Sequence, residues 1–453
     1  MSDLVRLSML ASLLACANAA VAAHSVTVDP AFAYYKERSN ESIVEEIKAN
    51  GFDDVRLACV NESGINGALV KAFADSDIKV WMLTFANGVY STVDLPKGWE
   101  SWKMKTRKPS NPDGFTYLCP NNASYREWKK KQVTTALNAH PFSGVDLCEA
   151  FLPAYPGPES QYYGCLCESC AAAFKKMCPD AIGIPDFEDK KSPQYWSTDK
   201  ELYEKWVAFR VATVVGFLDD LVNGKDGIRE KCPTVKVCTW SLGLDVPDQL
   251  AKLREWEGLD GAAIARRVKP DAHMIQTDWP DWIKDNLRGD YPLKYKAVAE
   301  SIRDAAPRVT LMLQADIGSK QNMRRDRDWM KQVEKYAKQI HCETVTYYEY
   351  HIGEYIYTET PAVVSATSEP GTVKLVFNKR LEPMAASNVS NYSVSSGRVD
   401  FARADGNIVK LSVSGVETGA TLTISGLSDD ESRRLFHDKP ACLMTESVEV
   451  MVE

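Results

Sequence analysis

The 453-residue chain has no surplus of positive charge. Its 54 Lys and Arg are outnumbered by 62 Asp and Glu, for a formal net charge of −8. A nucleic-acid binder ordinarily presents a basic face, so no nucleic-acid partner is expected. Only six histidines occur, and none forms an H-E-x-x-H pattern, which removes the zincin proteases. No G-x-x-x-x-G-K-[ST] is present to cradle a nucleotide phosphate. No G-x-G-x-x-G follows the first apolar run, which counts against a dinucleotide-binding open sheet. "TWSLG" (239–243) has Ser241 and Gly243 but Thr at 239, so it fails the nucleophile-elbow pattern G-x-S-x-G. Past the N-terminus, no segment approaches the ~20 apolar residues that span a bilayer.

What the N-terminus does have is an export signature. Arg6, an apolar stretch from Leu7 to Leu14, and the Ala-x-Ala sites at 17–19 and 20–22 predict a signal peptide over 1–23 and a secreted or periplasmic protein. Leu13-Leu14-Ala15-Cys16 also reads as a lipoprotein cleavage box, and a lipid on Cys16 is the one membrane attachment the sequence raises.

From residue 24, apolar β-type runs alternate with amphipathic helical stretches. The runs are 25–30, 53–60, 78–85, 143–151, 234–243, 271–279, 308–318 and 344–353. Near-continuous apolar runs suit strands buried on both faces of a parallel sheet. Eight of them, with helices between, predict an α/β fold of the (β/α)8 TIM-barrel type over 24–358. The character changes at "TETPAVVSATSEPG" (358–371). Beyond it, short alternating strands separated by turn residues predict a small all-β sandwich over 362–453.

A barrel places its active site at the C-terminal ends of its strands. At or just past those ends lie Asp29, Glu62, Glu149, Asp278, Asp316 and Glu349. Asp146 and Glu149 are three apart, so a regular strand would point them to opposite faces. Glu149, nearer the strand end, is the stronger candidate. Several acids around one mouth fit glycosidic bond cleavage, which needs one carboxylic acid to protonate the leaving oxygen and one carboxylate as nucleophile or base. That chemistry needs no cofactor. Rings suit the other requirement, because the C–H faces of sugars pack on amphipathic aromatics. Tyr163, Trp240 and Trp279, with Gln314 and Glu349, are the expected sugar contacts. Arg56, in the second strand, has two readings: a fork for a substrate carboxylate, or an ion pair with a barrel acid.

The stretch "GVDLCEAFLPAYPGPESQYYGCLCESCAAAF" (144–174) adds Cys165, Cys167 and Cys170 as C-x-C-x-x-C, with Cys178 following. Three states fit these thiols: a structural zinc, which takes four soft ligands in a tetrahedron; disulfides among Cys165, Cys167, Cys170, Cys178 and Cys119; or free thiols. In the first two the cysteines staple the loop behind Glu149.

"YLCPNNASYREWKKKQV", "FSGVDLCEAFLPAYPG", "YGCLCESCAAAF" and "YEKWVAFRVATVVGFLDDLV" before "KVCTWSLG" resemble exported bacterial TIM-barrel glycoside hydrolases. The likeness is carried best by 115–245, and the segment 362–453 resembles the Ig-like modules appended to such enzymes. It implies a carbohydrate substrate and Glu149 as acid/base. In the best-known retaining clan the nucleophile is a Glu ending the seventh strand. Here that strand ends in Gln314 and Asp316, so the second carboxylate is sought in the order Asp316, Asp278, Glu349. The same departure raises the alternative of a non-catalytic carbohydrate-binding or scaffold protein on a degenerate barrel.

Overall fold

The computed structural model describes residues 24–108, 114–417, 419–444 and 447–451. The expected leader, with Cys16, lies outside the described residues. Eight parallel strands close into a barrel: β1 (Ser25–Val28), β2 (Asp54–Ala58), β3 (Lys79–Phe85), β4 (Gly144–Cys148), β5 (Lys236–Gly243), β6 (Ala272–Thr277), β7 (Thr310–Asp316) and β8 (Thr344–Tyr348). β8 pairs with both β7 and β1, which closes the ring. The helices begin where side chains cap them. Ser39, Asn122, Asp199 and Asp326 each accept the backbone N–H three residues on, at 2.8–3.1 Å, satisfying donors that a helix start leaves orphaned.

The inside of the barrel is filled, not hollow. Trp81, Leu83, Cys148, Cys238, Trp240, Met274 and Met312 form a buried cluster along the axis. Gly144 stands beside Trp81 in register, and a Cβ there would lie 2.2 Å from the indole ring, so only glycine leaves room for it. Among these apolar groups lies an ion network. Arg56 contacts Asp54 at 2.8 Å and Asp146 at 3.0 Å, and its guanidinium lies 4.2 Å from the Trp81 ring centroid. Trp81 Nε1–H donates to Asp54 and Trp240 Nε1–H to Asp146, each at 3.1 Å. Buried charges persist when paired and hydrogen-bonded in this way.

After the helix Glu354–Thr358, the remaining strands are antiparallel. β9 (Val363–Glu369), β10 (Thr372–Phe377), β12 (Arg398–Asp405) and β13 (Ile408–Ser414) form one sheet in the order β9-β10-β13-β12. β11 (Tyr392–Val394), β14 (Thr421–Ile424) and β15 (Val448–Met451) form the other. Val373, Leu375, Phe377, Leu411, Leu422 and Ile424 make a core separate from the barrel's. The predicted TIM barrel followed by an all-β sandwich is the observed fold. The sandwich is braced to the barrel: Arg380 donates to the backbone oxygens of Tyr34 (2.8 Å) and Lys36 (2.7 Å) while bonding Asp430 (2.8 Å).

Candidate active site

Three acidic residues stand on the C-terminal side of the barrel, each delivered by a different element. Glu149 follows β4 directly. Its φ of +52° takes the chain out of the strand in the left-handed region. That corrects the alternation argument. Asp146, in the regular strand, points into the barrel onto Arg56, and Glu149, past the strand end, is not bound by strand parity. Burial pushes the Glu149 carboxyl up to about 7, with Gln276 of β6 pulling the other way.

Asp278 follows β6 and caps the short helix Trp279–Trp282, its Oδ1 accepting Trp279 N–H at 2.8 Å. Its Oδ2 is buried without a hydrogen-bond partner. Burial, helped by the charges of Asp281 and Glu149, raises its carboxyl to about 7. Charge on Glu149 therefore reaches Asp278: the two acids share one electrostatic environment.

The third acid is Glu257, the last residue of the helix Gln249–Glu257, and strand-end reasoning missed it because it comes from a helix. It is buried, and burial plus the Asp278 charge hold its carboxyl well above the usual range. The loop after Glu149 is tied to this helix end. Leu152 N–H donates to the Glu257 backbone oxygen at 2.9 Å. The buried Arg210 donates to the backbone oxygens of Leu152 (3.1 Å), Trp256 (2.9 Å) and Glu255 (2.8 Å).

Rings edge this acidic corner. Tyr155 lies edge-on to both Trp256 (centroids 5.1 Å apart) and Trp279 (5.5 Å), and the Trp279 side chain is about half exposed, at 48%. A second run, Phe85, Tyr90 and Phe115 at 4.9–5.4 Å spacing, stands over the end of β3.

The structure separates the other expected residues. Asp316 is consumed by its own loop: Oδ1 accepts Gly318 and Ser319 N–H at 2.9 Å each, and Oδ2 accepts the Ser319 hydroxyl. Its carboxyl is pushed up to about 6 by burial, with those bonds and Arg325 pulling the other way. Glu349 is sealed, accepting from Asp29 N (2.9 Å), Tyr35 OH (3.1 Å), His351 N (2.6 Å) and the His351 ring. Tyr163 is buried under Arg210, 4.1 Å from its ring centroid, and accepts Trp206 Nε1–H at 3.2 Å; it packs the core rather than a sugar. Trp240 is barrel filling on Asp146, and Arg56 is committed to its two aspartates, so neither faces the mouth. Gln314 lies buried in register beside Gln276, in the floor under the acids. Of the predicted contacts, Trp279 stands on the rim.

The cysteines separate as well. The Sγ atoms of Cys119, Cys165, Cys167 and Cys170 all lie within 4.8 Å of one another, with Cys119 at 3.6 Å from Cys170 and 3.4 Å from Cys167. Cys178 is not in this quartet. It caps the far end of the helix Glu168–Met177, ~12 Å along the axis from Cys170. A disulfide needs S–S of about 2.05 Å; a zinc tetrathiolate with ~2.3 Å Zn–S bonds sets sulfurs about 3.8 Å apart. The quartet fits the second spacing. Asn121 Nδ2–H also donates to Cys170 Sγ at 3.3 Å, the outer contact a metal-bound thiolate takes.

No family model matches the chain, and no curated protein does. Solved structures do. The chain is similar to the glycoside hydrolase domain of PgaB (BpsB) from Bordetella bronchiseptica, at 11% identity and a TM-score of 0.50 over 72% of this chain and 93% of that one. It is also similar to a cold-adapted β-galactosidase from Rahnella sp. R3, at 12% identity and 0.50 over 73% and 51%. A β-galactosidase from the haloarchaeon Halorubrum lacusprofundi aligns at 15% and 0.48 over 73% and 53%. The chain thus spans about half the length of the β-galactosidases and most of the PgaB domain. Its structural neighbours are TIM-barrel glycoside hydrolases, and at such identities what they share with this chain is the fold.

Proposed function

We propose that the protein is an exported glycoside hydrolase that cleaves glycosidic bonds by a two-carboxylate mechanism. Glu149 is the general acid and Asp278 the nucleophile or base. The observation that supports this reading is the placement of two acids directly after strand ends, Glu149 after β4 and Asp278 after β6, with Asp278 Oδ2 buried without a partner and burial pushing both carboxyls up to about 7. Such a pair can hold one proton to give and one charge to use at the same pH. Asp278 replaces Asp316 as the second carboxylate, because Asp316 spends both oxygens on its loop. Trp279, Tyr155 and Trp256 receive the sugar faces. The cysteine quartet holds a structural zinc that pins the loop behind Glu149, and catalysis itself uses no cofactor. The C-terminal sandwich is an Ig-like brace, and the leader, or a lipid on Cys16, fixes an extracytoplasmic location.

The test is a panel of aryl glycosides and polymeric glycans given to the purified protein and to Glu149→Gln and Asp278→Asn. Loss of at least about 100-fold in both variants, with wild-type turnover on one glycan, is the expected result. A second reading, a carbohydrate-binding protein on a degenerate barrel, is favoured by the occupied Asp316. It predicts glycan binding without turnover, unchanged in Glu149→Gln.

A further inference from the structure

The rings given to the sugar so far stand towards one side of Glu149. Trp256 belongs to the helix that follows β5, Trp279 follows β6, and Tyr155 packs on both. On the other side of β4 lies β3. Its last residue, Phe85, pairs in register with Cys148, the residue before Glu149, and Ala86 N–H donates to the Cys148 oxygen at 2.8 Å. The chain that leaves β3 is therefore held beside the chain that carries the acid.

Beyond Phe85 the chain forms a two-stranded antiparallel ribbon, Gly88–Val89 against Thr116–Tyr117. So short a ribbon does not stand alone, and this one is fastened at its base. Leu118 N–H donates to Asn87 O at 2.8 Å, Met104 N–H to Tyr117 O at 3.0 Å, and the Tyr125 hydroxyl to Ala86 O at 2.6 Å. Asn87 Nδ2–H reaches across to the backbone oxygen of Phe151, two residues past Glu149, at 2.7 Å. The ribbon carries rings. A Cβ on Gly88 would lie 2.1 Å from the Phe115 ring, so glycine is what lets Phe115 lie over the ribbon backbone. Phe85, Tyr90 and Phe115 pack edge-on to one another, Tyr117 joins Phe115 at 4.9 Å, and Phe151 joins Tyr117 at 6.2 Å. Ring contacts thus run unbroken from Tyr90 to the loop that follows Glu149.

Closing the barrel end accounts for Phe115, which is 4% exposed, but not for Tyr90, which keeps half its surface (51%) in water. Exposed rings are few: among the described residues they are Tyr90, Trp279 and, on the sandwich, Phe401. The first two follow β3 and β6, on opposite sides of β4. A ring held edge-on by two others has little freedom left to lose when a ligand stacks on it. Its amphipathic face suits the C–H face of a sugar. Rings on both flanks of the acids give an apolar seat on each side of the bond to be cut.

We propose that Tyr90, seated on Phe85 and Phe115, is a second sugar platform, and that the substrate is a glycan chain lying from Tyr90 across Glu149 to Trp279 and cut at an internal bond. The cut rests on the hydrolase reading; the binding of the chain does not.

The experiment is affinity electrophoresis of the full chain through gels holding galactan, xylan, mixed-linkage β-glucan or dextran, for wild type, Tyr90→Ala, Tyr90→Phe, Trp279→Ala and Phe401→Ala. At least one polymer retards the wild type. Tyr90→Ala and Trp279→Ala each weaken that binding about tenfold. Tyr90→Phe keeps the ring and most of the binding, and Phe401→Ala changes nothing. Tyr90 is half in water, so its replacement leaves the thermal melt in place. Where the polymer is cut, the first products are oligosaccharides, kcat/KM rises with chain length from disaccharide to hexasaccharide, and Tyr90→Ala flattens that rise. A wild type that no polymer retards, a Tyr90→Ala variant that binds like wild type, or release of single sugars from the first turnover overturns the proposal. Retardation that depends on Tyr90, with no product formed, removes the hydrolase reading and sustains the platform.

Discussion

Arg56 contacts Asp146 at 3.0 Å inside the barrel, below the mouth and out of reach of any sugar. Of the two readings the sequence allowed for Arg56, a fork for an acidic substrate or an ion pair with a barrel acid, the structure shows the second, with Arg56 the counter-ion of two buried aspartates. Arg56→Met would leave Asp54 and Asp146 buried without it. Removing one partner of such a network costs about 3–5 kcal/mol. The expected result is a large fall in the urea midpoint with no change in the preference between neutral and uronic aryl glycosides. A selective loss on the uronic substrate would return Arg56 to the binding site.

The pH dependence of turnover follows from the two acids. Asp278 must be ionised to act, so activity rises with pH through its titration. Glu149 must be protonated, so activity falls above its own. Both lie at about 7, which predicts a narrow bell centred near neutral pH whose limbs belong to the pair rather than to either residue. The kcat/KM profile from pH 5 to 9 checks it. With an activated aryl leaving group that needs no protonation, the alkaline limb should flatten in Glu149→Gln. A broad plateau from pH 5 to 8 in the wild type would remove one of the two from the mechanism.

The barrel was legible because its strands are apolar on both faces, and a run of that kind has few other solutions. The sandwich was legible in its change of period after 358. The site was legible only in part, and each miss has a cause. Strand parity wrongly set Glu149 against Asp146, because left-handed backbone is invisible to a period-two argument. Trp240 and Tyr163 carry the same letters as sugar-stacking rings, and only burial tells them apart. Glu257 gave no strand-end signal, being the last residue of a helix. Cys119 was raised as a disulfide partner but not as a metal ligand, since it lies 46 positions before Cys165.

The same acids should cost stability. A carboxyl whose folded titration lies above its unfolded one is neutral in the native state while the unfolded chain already ionises. Stability therefore falls as pH rises from the unfolded value to the folded one, and the loss is complete above it. For Asp278 the window runs from 3.8 to about 7 and for Glu149 from 4.5 to about 7. Replacing either with its amide removes the penalty. Asp278→Asn and Glu149→Gln should raise Tm relative to wild type by more at pH 8 than at pH 5, the gain at pH 8 being on the order of 1–3 kcal/mol. Equal shifts at both pH values would mean that neither carboxyl is perturbed.

The cysteine quartet makes a prediction that separates its metal reading from its disulfide reading. Cys165 and Cys167 lie in the segment whose backbone is joined to another loop, with Leu166 N–H on Lys105 O at 2.7 Å and Arg107 N–H on Tyr163 O at 3.1 Å. A zinc held by Cys119, Cys165, Cys167 and Cys170 would fix both loops and, through residues 150–164, the Tyr155 rim. Purified protein should then carry one zinc per chain, with no thiol of the four oxidised. Cys119→Ser and Cys170→Ser should lose it, and Cys178→Ser, at the far end of its helix, should keep it. Chelation should lower Tm in wild type and in Cys178→Ser but not in Cys170→Ser, which has no metal to give up. Metal analysis, intact mass under non-reducing conditions and thermal melts measure all three. Zinc-free protein with two disulfides among these cysteines would replace the metal by covalent staples, and would leave the loop pinned by a different bond.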